Sequence, residues 1–257
     1  MPVQGIASGS FEDRGNVTNR IVSTAIRLLA DRGFVVSRHP AARRASLMAA
    51  QGVDLVFDVG AAHGDFGAEL RTFGYRGTIV SFEPLTGAFA KLEQTRGDDE
   101  RWVLRNHALG SVNEESAIHV ASNSDSSSLL PPHERHSAAA PHVTFTDTQT
   151  VSVRRLDDIA EEHLTDGTRA LLKIDTQGFE RQVLEGATET LRSCVGVLLE
   201  LSFTPLYDGG MLADEAISSM YAKGYQIVGI TPGFAEASGA VLQADALFWR
   251  AEQIAAP

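Results

Sequence analysis

The chain has 257 residues, 43% of them hydrophobic, and carries a formal net charge of −11. This length and composition suit one large α/β core, whereas the negative charge argues against nucleic acid or an anionic membrane as a partner, because phosphate groups are bound by concentrated Lys and Arg. The sequence has no apolar run of the roughly 20 residues that a membrane-spanning helix needs. Its single cysteine, Cys194, cannot form an intrachain disulfide, and we expect it in the core. From both features we expect a cytoplasmic protein.

The N-terminal part of the chain precedes the first predicted strand. Residues 19–33 and 41–51 have the apolar spacing of amphipathic helices, and 34–36 are predicted to form a short extended piece between them. We assign residues 1–51 to a helical extension that either caps a ligand cleft or contacts the second subunit of a homodimer. The sequence favours neither role over the other.

From residue 52 onward, strands and helices are predicted to alternate. An apolar strand at 54–59 leads through a turn of small residues, Gly60 to Gly64, into a helix over 64–73. Such a turn lets a ligand lie against backbone N–H groups at the positive end of the helix. The other predicted elements are strand 78–82, helix 88–94, strand 102–109, strand 170–175, helix 179–191, strand 195–203, helix 212–223 and strands 226–230 and 244–249.

Strands separated by helices predict a parallel sheet, and two final strands with no helix between them predict a closing hairpin. The predicted fold is therefore α/β and Rossmann-like, with a mostly parallel sheet, an antiparallel last strand and helices on both faces. Residues 111–153 interrupt the pattern, and an ordered insertion of this length indicates a binding loop or lid. We expect residues 52–257 to form one ligand-binding domain that contains this insertion.

Acidic side chains lie at or near the ends of four predicted strands. Ligands of open parallel sheets bind beyond the carboxyl ends of the strands, so these acids predict a shared ligand site, although Asp is also common in turns and helix caps. A carboxylate at the end of the second strand can accept hydrogen bonds from both hydroxyls of a ribose. The four acids are Asp58, Glu83, Asp175 and Glu200.

The turn between Gly60 and Gly64 matches neither GxGxxG nor the phosphate-loop pattern. An NAD(P) dehydrogenase is therefore disfavoured, because the turn provides poorly for a pyrophosphate. An uncharged or cationic adenosyl ligand suits the acidic strand ends better.

Eight segments occur in the order seen in a known family: DVGAAHGDF, IVSFEP, NHALG, SSSL, RLD, LLKIDTQGFERQVLEGA, LLELSFTPLY and LQADALFWR. Over residues 52–250 the chain resembles the FkbM family of S-adenosylmethionine-dependent O-methyltransferases. The KIDTQGFE block and the FEP end of the second strand are the most specific parts of the match. The resemblance implies a class I methyltransferase fold with seven strands, and methyl transfer to a hydroxyl, commonly of a sugar or a polyketide-type acceptor.

The resemblance also implies roles for the residues that match the family's motifs. His63 departs from the residue that the family commonly has in the glycine turn, so we expect it to be a loop residue. The implied cofactor-binding residues are Asp58, Gly60, Ala61 and Gly64 at the methionine and ribose, Glu83 and Pro84 at the ribose hydroxyls, Asn106 and Ala108 near the adenine, and Asp175 beside the reacting methyl group.

Methyl transfer to a hydroxyl requires a positioned acceptor and either a base or a metal ion to deal with its proton. The candidate bases are Asp175, Glu180 and, on the insertion, His142. Glu180 is equally explained as a first-turn acid that stabilises the helix dipole, and His142 as a solvated loop residue. Asp175 and Glu200 are candidate Mg²⁺ ligands, because hard cations favour carboxylate oxygens.

The favoured function is therefore an S-adenosylmethionine-dependent O-methyltransferase. Its acceptor would be a sugar, an oligosaccharide or a glycosylated natural product, bound by residues 126–129 and 204–207 together with the N-terminal helices. The alternative is a non-catalytic module that binds an adenosyl ligand and acts as a sensor or partner. The methylated hydroxyl, the base, the need for a metal and the oligomeric state stay open at this point.

Overall fold

The computed structural model describes residues 27–33 and 39–254, which fall into two compact units divided between Arg43 and Arg44. In the N-terminal unit, residues 27–30 are helical and a turn follows that ends at Gly33. Most of the predicted helix over 19–33 and the predicted extended piece at 34–36 lie outside the described residues. The role of this unit as a cap or a dimer contact stays a prediction.

The C-terminal unit is built on a seven-stranded sheet with the order β3-β2-β1-β7-β8-β10-β9. Strand β1 pairs in parallel with β2 and β7, β8 continues the parallel sheet beyond β7, and β10 is antiparallel to both of its neighbours. The predicted mostly parallel sheet with an antiparallel last strand is confirmed. The strands formed by the described residues are β1 (Leu55–Val59), β2 (Thr78–Phe82), β3 (Trp102–Arg105), β4 (Ala108–Leu109), β5 (Glu114–Ala121), β6 (Phe145–Arg154), β7 (Ala170–Ile174), β8 (Cys194–Ser202), β9 (Tyr225–Pro232) and β10 (Gln243–Arg250).

Helices cover both faces of this sheet. The α-helices are α1 (Pro40–Ala50), α2 (Asp65–Thr72), α3 (Thr86–Arg96), α4 (Glu134–Ala139), α5 (Glu180–Glu185), α6 (Thr190–Ser193), α7 (Ala213–Ala222) and α8 (Ala251–Ile254). Successive side chains of a strand point to opposite faces, so Phe57 of β1 lies in a core that includes residues of α5, α6 and α7, and Val56 in a core that includes residues of α1, α2 and α3. Burial on both faces is why the central strands are apolar along their length.

Two predicted elements are each divided in the structure. The strand predicted over 102–109 leaves the main sheet after Arg105, and its last two residues form β4 of a second sheet. The helix predicted over 179–191 is divided into α5 and α6 at Gly186. A Cβ on Gly186 would lie 1.9 Å from the carbonyl oxygen of Gly110, so a side chain at this position would exclude the loop that packs there.

Two strands are predicted within the insertion, at 117–121 and 150–154. The second sheet, with the order β4-β6-β5, contains both of them, as β5 and β6. Both strands are longer than predicted. An isolated bridge joins His119 of β5 to Ser128, and another joins Pro132 to Tyr207, which lies beyond the end of β8. We call residues 122–130, which follow β5, the insertion loop. The assignment of 111–153 to a binding loop or lid stays a prediction.

Two features bear on the expectations from composition. In the part of the chain that the structure describes, no helix has the length and apolar character needed to cross a membrane. Cys194 is fully buried at the start of β8, and burial raises the pKa of its thiol to about 12. It is therefore a core residue and not a nucleophile.

Candidate active site

The carboxyl ends of β1, β2, β7 and β8 meet at one edge of the main sheet, because these strands run in the same direction. In the register of the sheet, Val59 at the end of β1 lies between Phe82 of β2 and Ile174 of β7. Ile174 in turn lies beside Leu199 of β8. The structure thus brings together the residues that follow these four positions, which are Gly60, Glu83, Asp175 and Glu200.

The turn after β1 depends on glycine at its first position. The N–H groups of Gly60 and Ala61 both donate to the carbonyl of Phe82, at 3.1 and 3.0 Å. Gly60 has a φ of 74°, and a Cβ on it would lie 1.8 Å from the backbone oxygen of Asp175. Only glycine therefore lets this turn lie against the end of β7. The result is a stretch of bare backbone between two strand ends.

Two residues that the resemblance assigns to the cofactor support the turn from inside the protein. Asp58 is fully buried: its Oδ2 accepts a hydrogen bond from Ser81 at 2.8 Å, and its Oδ1 lies 3.2 Å from the ammonium of Lys173. Gly64 has a φ of 90°, in the left-handed region that favours glycine, and a Cβ there would lie 2.7 Å from the side chain of Leu92 of α3. The burial of Asp58 does not favour a direct contact between its side chain and a cofactor.

Glu83 ends β2 beside the turn, and two backbone N–H groups hold its carboxylate. Ala62 donates to Oε2 and Leu85 donates to Oε1, both at 2.9 Å. Burial raises the pKa of Glu83 to about 7, against the opposing effect of these N–H groups. Each carboxylate oxygen can accept more than one hydrogen bond, so Glu83 keeps the capacity to bind hydroxyl groups.

Asn106 connects the end of β3 to the end of β2. Its Nδ2 donates to the carbonyls of Glu83 and Pro84, at 2.9 and 3.2 Å, so it stabilises the segment that carries the Glu83 carboxylate. Ala108 is buried in β4. His107 lies between Asn106 and Ala108 in the chain. Burial lowers the pKa of its ring to about 4, which keeps the ring neutral at pH 7. A contact of Asn106 or Ala108 with adenine stays a prediction.

Lys173 of β7 is buried between the strand ends and joins four groups. Its Nζ donates to the carbonyls of Gly60 at 2.7 Å and Val59 at 3.3 Å, and it lies 3.2 Å from Asp58 and 3.6 Å from Asp175. Burial opposes its charge, but the two carboxylates raise its pKa overall, so the ammonium is retained. Asp175 itself is 36% exposed. Its carboxylate is therefore open to a ligand while one oxygen faces Lys173.

Gln177 connects Asp175 to β8. Its Nε2 donates to Asp175 at 3.0 Å and to Glu200 at 3.1 Å, and its Oε1 accepts a hydrogen bond from the hydroxyl of Tyr207 at 3.0 Å. The Nε2 of Gln243 donates to the same oxygen of Glu200 at 2.7 Å. Burial, reinforced by the nearby acids, raises the pKa of Glu200 well above its usual range.

The two candidate magnesium ligands, Asp175 and Glu200, are bridged by this amide. A nitrogen donor, Nε2 of Gln177, lies within 3.1 Å of both carboxylates, whereas Mg²⁺ requires oxygen ligands around an octahedral centre. Among the described residues, no group of three or more His, Cys, Asp or Glu is placed to hold a metal ion. The residues present therefore do not fit the magnesium site that the sequence suggested.

Glu180, at the start of α5, is almost completely buried. Its Oε1 accepts hydrogen bonds from the N–H of Thr176 at 3.0 Å, the hydroxyl of Thr176 at 3.1 Å and the N–H of Gly178 at 3.1 Å. Burial raises its pKa in spite of these donors. The contacts make Glu180 the residue that closes the turn between β7 and α5, and they give no support to a role as base.

The insertion loop is tied to three segments that follow strands of the main sheet. One lies in the β1 turn, one after β7 and one after β8. Together these contacts place the loop across the edge at which the strand ends meet. The three hydrogen bonds join Ser124 to His63 at 2.9 Å, Ser128 to the carbonyl of Gln177 at 2.7 Å, and Tyr207 to the carbonyl of Ser126 at 2.8 Å.

The remaining acceptor-site candidates are dispersed. His142 is exposed in a turn before β6 and takes no part in the contacts described above. Tyr207 is buried and packs against the ring of His136 at 5.4 Å, so its ring is no open face for a sugar. Thr204 and Pro205 line an open groove of about 360 Å³ together with residues of α4.

Sequence reasoning missed three side chains of this edge: Lys173, Gln177 and Gln243. Lys173 had a detectable signal, since a lysine two residues before a carboxylate in an apolar strand points to the same face of the sheet. Gln243 reaches Glu200 only because β10 pairs with β8. No local pattern predicts that contact.

The strand order, the bare glycine turn after the first strand and the carboxylate at the end of the second strand define a class I methyltransferase. The methyl donor of this class is S-adenosylmethionine, whose positive charge suits an edge rich in carboxylates.

A family model for the FkbM methyltransferase domain matches residues 58–227. The chain belongs to the FkbM methyltransferase family. Among curated proteins, none matches the chain significantly.

Several solved structures are similar in fold at low identity. A candidate tRNA (m1A22) methyltransferase from Streptococcus pneumoniae, solved with S-adenosyl-L-methionine, is 16% identical over 81% of this chain and 72% of its own, with a TM-score of 0.44. The 1,6-didemethyltoxoflavin-N1-methyltransferase of Burkholderia thailandensis, solved with S-adenosylhomocysteine, is 12% identical over 97% and 93%, with a TM-score of 0.43. An rRNA methylase from Streptococcus thermophilus is 12% identical over 84% and 99%, with a TM-score of 0.42.

Proposed function

We propose that this protein transfers a methyl group from S-adenosylmethionine to a hydroxyl of a sugar, an oligosaccharide or a glycosylated natural product. One observation carries the proposal, namely the arrangement of three adjacent strand ends. The bare turn at Gly60 lies between the held carboxylate of Glu83 and the open carboxylate of Asp175. This is the combination that an adenosyl ligand with a reactive methyl group requires.

The residues on the β1–β2 side would bind the cofactor. Glu83 would accept hydrogen bonds from the ribose hydroxyls while Ala62 and Leu85 hold its carboxylate in place. The backbone of the Gly60 turn would lie along the methionine part. When bound, S-adenosylmethionine would supply the methyl group as an electrophile.

We assign the role of base to Asp175. Its carboxylate is 36% exposed and is oriented by Lys173 and Gln177. It would take the proton of the acceptor hydroxyl as the acceptor oxygen forms its bond to the methyl carbon and the carbon–sulfur bond breaks. The carboxylate of Glu180 accepts hydrogen bonds from the turn between β7 and α5. The alternative base, His142, takes no part in the contacts described above at these strand ends.

The insertion loop supports a hydroxylated acceptor. Residues 122–126 read SNSDS, so each of these side chains is a short hydroxyl, amide or carboxylate group that can exchange hydrogen bonds with sugar hydroxyls. The net charge of −11 disfavours a nucleic-acid acceptor. A cytoplasmic location and a homodimer formed through the N-terminal unit belong to the same proposal.

The first experiment is calorimetric titration with S-adenosylmethionine, S-adenosylhomocysteine and NADH, with and without magnesium. We expect micromolar binding of the two adenosyl ligands and none of NADH, unchanged by magnesium or by a chelator. Binding of NADH alone would contradict the methyltransferase assignment.

Sugars and glycosylated compounds would then be screened with a cofactor labelled in its methyl group. Label recovered as a methyl ether of the acceptor supports the proposal. Loss of that signal in Asp175→Asn supports the assigned base. If adenosyl ligands bind but no acceptor is labelled, a non-catalytic sensor or partner replaces the enzyme as the better explanation.

A further inference from the structure

The side chain of Gln177 uses each of its polar groups to connect separate parts of the edge. Nε2 reaches Asp175 and Glu200 on β7 and β8, and Oε1 reaches the hydroxyl of Tyr207. The single hydroxyl proton of Tyr207 is shared between this Oε1, at 3.0 Å, and the carbonyl of Ser126 in the insertion loop, at 2.8 Å. A continuous path of hydrogen bonds therefore runs from the insertion loop through Tyr207 and Gln177 to both carboxylates.

The backbone at Gln177 fixes the direction of this side chain. Its φ is 55°, in the left-handed region that a residue other than glycine seldom adopts. Its carbonyl accepts a hydrogen bond from Ser128, and a Cβ on the following residue, Gly178, would lie 2.9 Å from Tyr207. Uncommon backbone conformations persist when surrounding contacts determine them. Here those contacts come from the insertion loop and from the segment after β8.

We propose that Gln177 is a positioning residue that couples docking of the insertion loop to the placement of the Asp175 and Glu200 carboxylates. The coupling deepens the proposed function and rests on it where it concerns cofactor binding. With the loop docked, one amide donates to both acidic side chains. With the loop displaced, Tyr207 and Ser128 no longer hold Gln177, and the two carboxylates lose their shared donor.

Three variants separate the two ends of this path. Gln177→Met keeps the length of the side chain and removes all of its hydrogen bonds. Gln177→Glu keeps an oxygen that accepts from Tyr207 but removes both donors to the carboxylates. Tyr207→Phe removes the hydroxyl that joins Gln177 to Ser126. The control is Gln94→Met, which removes an amide from an exposed position of α3.

Two quantities are measured on each full-length variant: amide hydrogen exchange of the insertion loop, and the dissociation constant of S-adenosylmethionine by calorimetry. Gln177→Met should accelerate exchange in the loop and raise the dissociation constant about tenfold, the effect of one or two hydrogen bonds. Gln177→Glu should weaken the cofactor as much while leaving loop exchange near that of the unaltered protein. If Gln177 had only a structural role, Gln177→Glu would change loop exchange and cofactor affinity together, as Gln177→Met does.

Tyr207→Phe gives the decisive comparison. In the unaltered background it should raise the dissociation constant by about threefold, and in the Gln177→Met background it should add nothing, because the path is already broken. Additive effects of the two substitutions overturn the proposal, as does a Gln177→Met protein that binds the cofactor like the Gln94→Met control.

Failure of the coupling and failure of the proposed function give different results. If the unaltered protein binds no adenosyl ligand, the proposed function fails, and loop exchange alone decides whether Gln177→Met and Gln177→Glu differ. Circular dichroism establishes that each variant is folded. Should Gln177→Met fail to fold, Gln177→Asn replaces it, because Asn tolerates a left-handed backbone and is too short to span the two carboxylates.

Discussion

The two halves of the strand-end edge are built by different means. At the ends of β1 and β2, backbone groups make most of the contacts: two N–H groups meet the carbonyl of Phe82, and two others hold Glu83. At the ends of β7 and β8, side chains from distant segments meet: Gln177 and Gln243 donate to Glu200, and Tyr207 donates to Gln177.

The difference follows from what each half would bind. A cofactor common to a whole class can be held by a turn and one carboxylate, which change little when the surface changes. An acceptor requires a surface specific to the protein, and in the proposed function that surface would include the insertion loop. We therefore expect substitutions in the first half to act through backbone geometry and those in the second half through networks of side chains.

The largest effect should come from Lys173, which joins the halves. Lys173→Met leaves the fully buried Asp58 without its positive partner, so the free energy of unfolding should fall by about 3–5 kcal/mol. Denaturant titration measures this loss. Adding Asp58→Asn should recover part of it, and a loss below about 1 kcal/mol would show that the two halves are not joined by this ion pair.

The second-largest effect should come from the backbone turn at Gly60 in the first half. Gly60→Ala places a methyl group against the carbonyl of Asp175 at a φ of 74°, which should cost about 2–4 kcal/mol of stability and abolish cofactor binding. Gly74→Ala is the matched control, because Gly74 has a φ of 92° with no atom within 4 Å of the added carbon. It should cost about 1–2 kcal/mol and leave binding intact, and equal losses in the two variants would remove the role assigned to close backbone approach.

Glu83 gives the first half a pH dependence. Its pKa in the folded protein is about 7, above its ordinary value of 4.5, because of burial. The stability that the protonated form contributes is therefore fully present below pH 4.5 and is lost as the pH rises through 7. Cofactor affinity should change in the opposite direction, since an ionised carboxylate accepts stronger hydrogen bonds from ribose hydroxyls.

Calorimetry between pH 5.5 and 8.5 measures this affinity. We expect S-adenosylmethionine to bind more tightly as the pH rises, with an inflection near 7. In Glu83→Gln the inflection should disappear and binding should be about tenfold weaker at pH 8. An unchanged inflection in Glu83→Gln would assign the titration to another group.

The smallest effects are expected at two contacts of the insertion loop, one with Gln177 and one with His63. Ser128→Ala removes a buried hydroxyl that donates to the carbonyl of Gln177 at 2.7 Å, and should cost about 1 kcal/mol. His63→Ala removes a partly exposed contact with Ser124 at 2.9 Å and should change stability by less than about 0.5 kcal/mol. Thermal unfolding measures both, and a larger effect for His63→Ala would mean that the loop is held mainly by the first half.

Some secondary-structure elements could be predicted from the sequence with their full bounds, and others could not. Strand β2 was predicted with the bounds that it has in the structure, Thr78–Phe82, because an apolar run between turn residues is a local signal. The strand over 102–109 and the helix over 179–191 were predicted as single elements. Their interruptions result from the second sheet and from the contact between Gly186 and Gly110, which local periodicity does not report.

The site divides in the same way. Glu83 and the Gly60 turn follow buried strands directly, so their position at the edge was determined by chain order and by the direction of the strands. The family resemblance placed Asp58 beside the cofactor, but its side chain points to Ser81 and Lys173. The amide of Gln177 lies between the two candidate magnesium ligands, and this bridge depends on a side-chain direction that the sequence does not report.

The sequence by itself determined the fold class, the family and the strand ends that form the edge, because apolar periodicity and the family's motifs are local properties of the chain. Only the tertiary structure decided which side chains meet there. Gln243 follows Glu200 by more than forty residues, and Tyr207 reaches the insertion loop across eighty-one positions. Contacts between such distant positions depend on strand register and on the packing of the insertion, and these are settled only when the whole core is assembled.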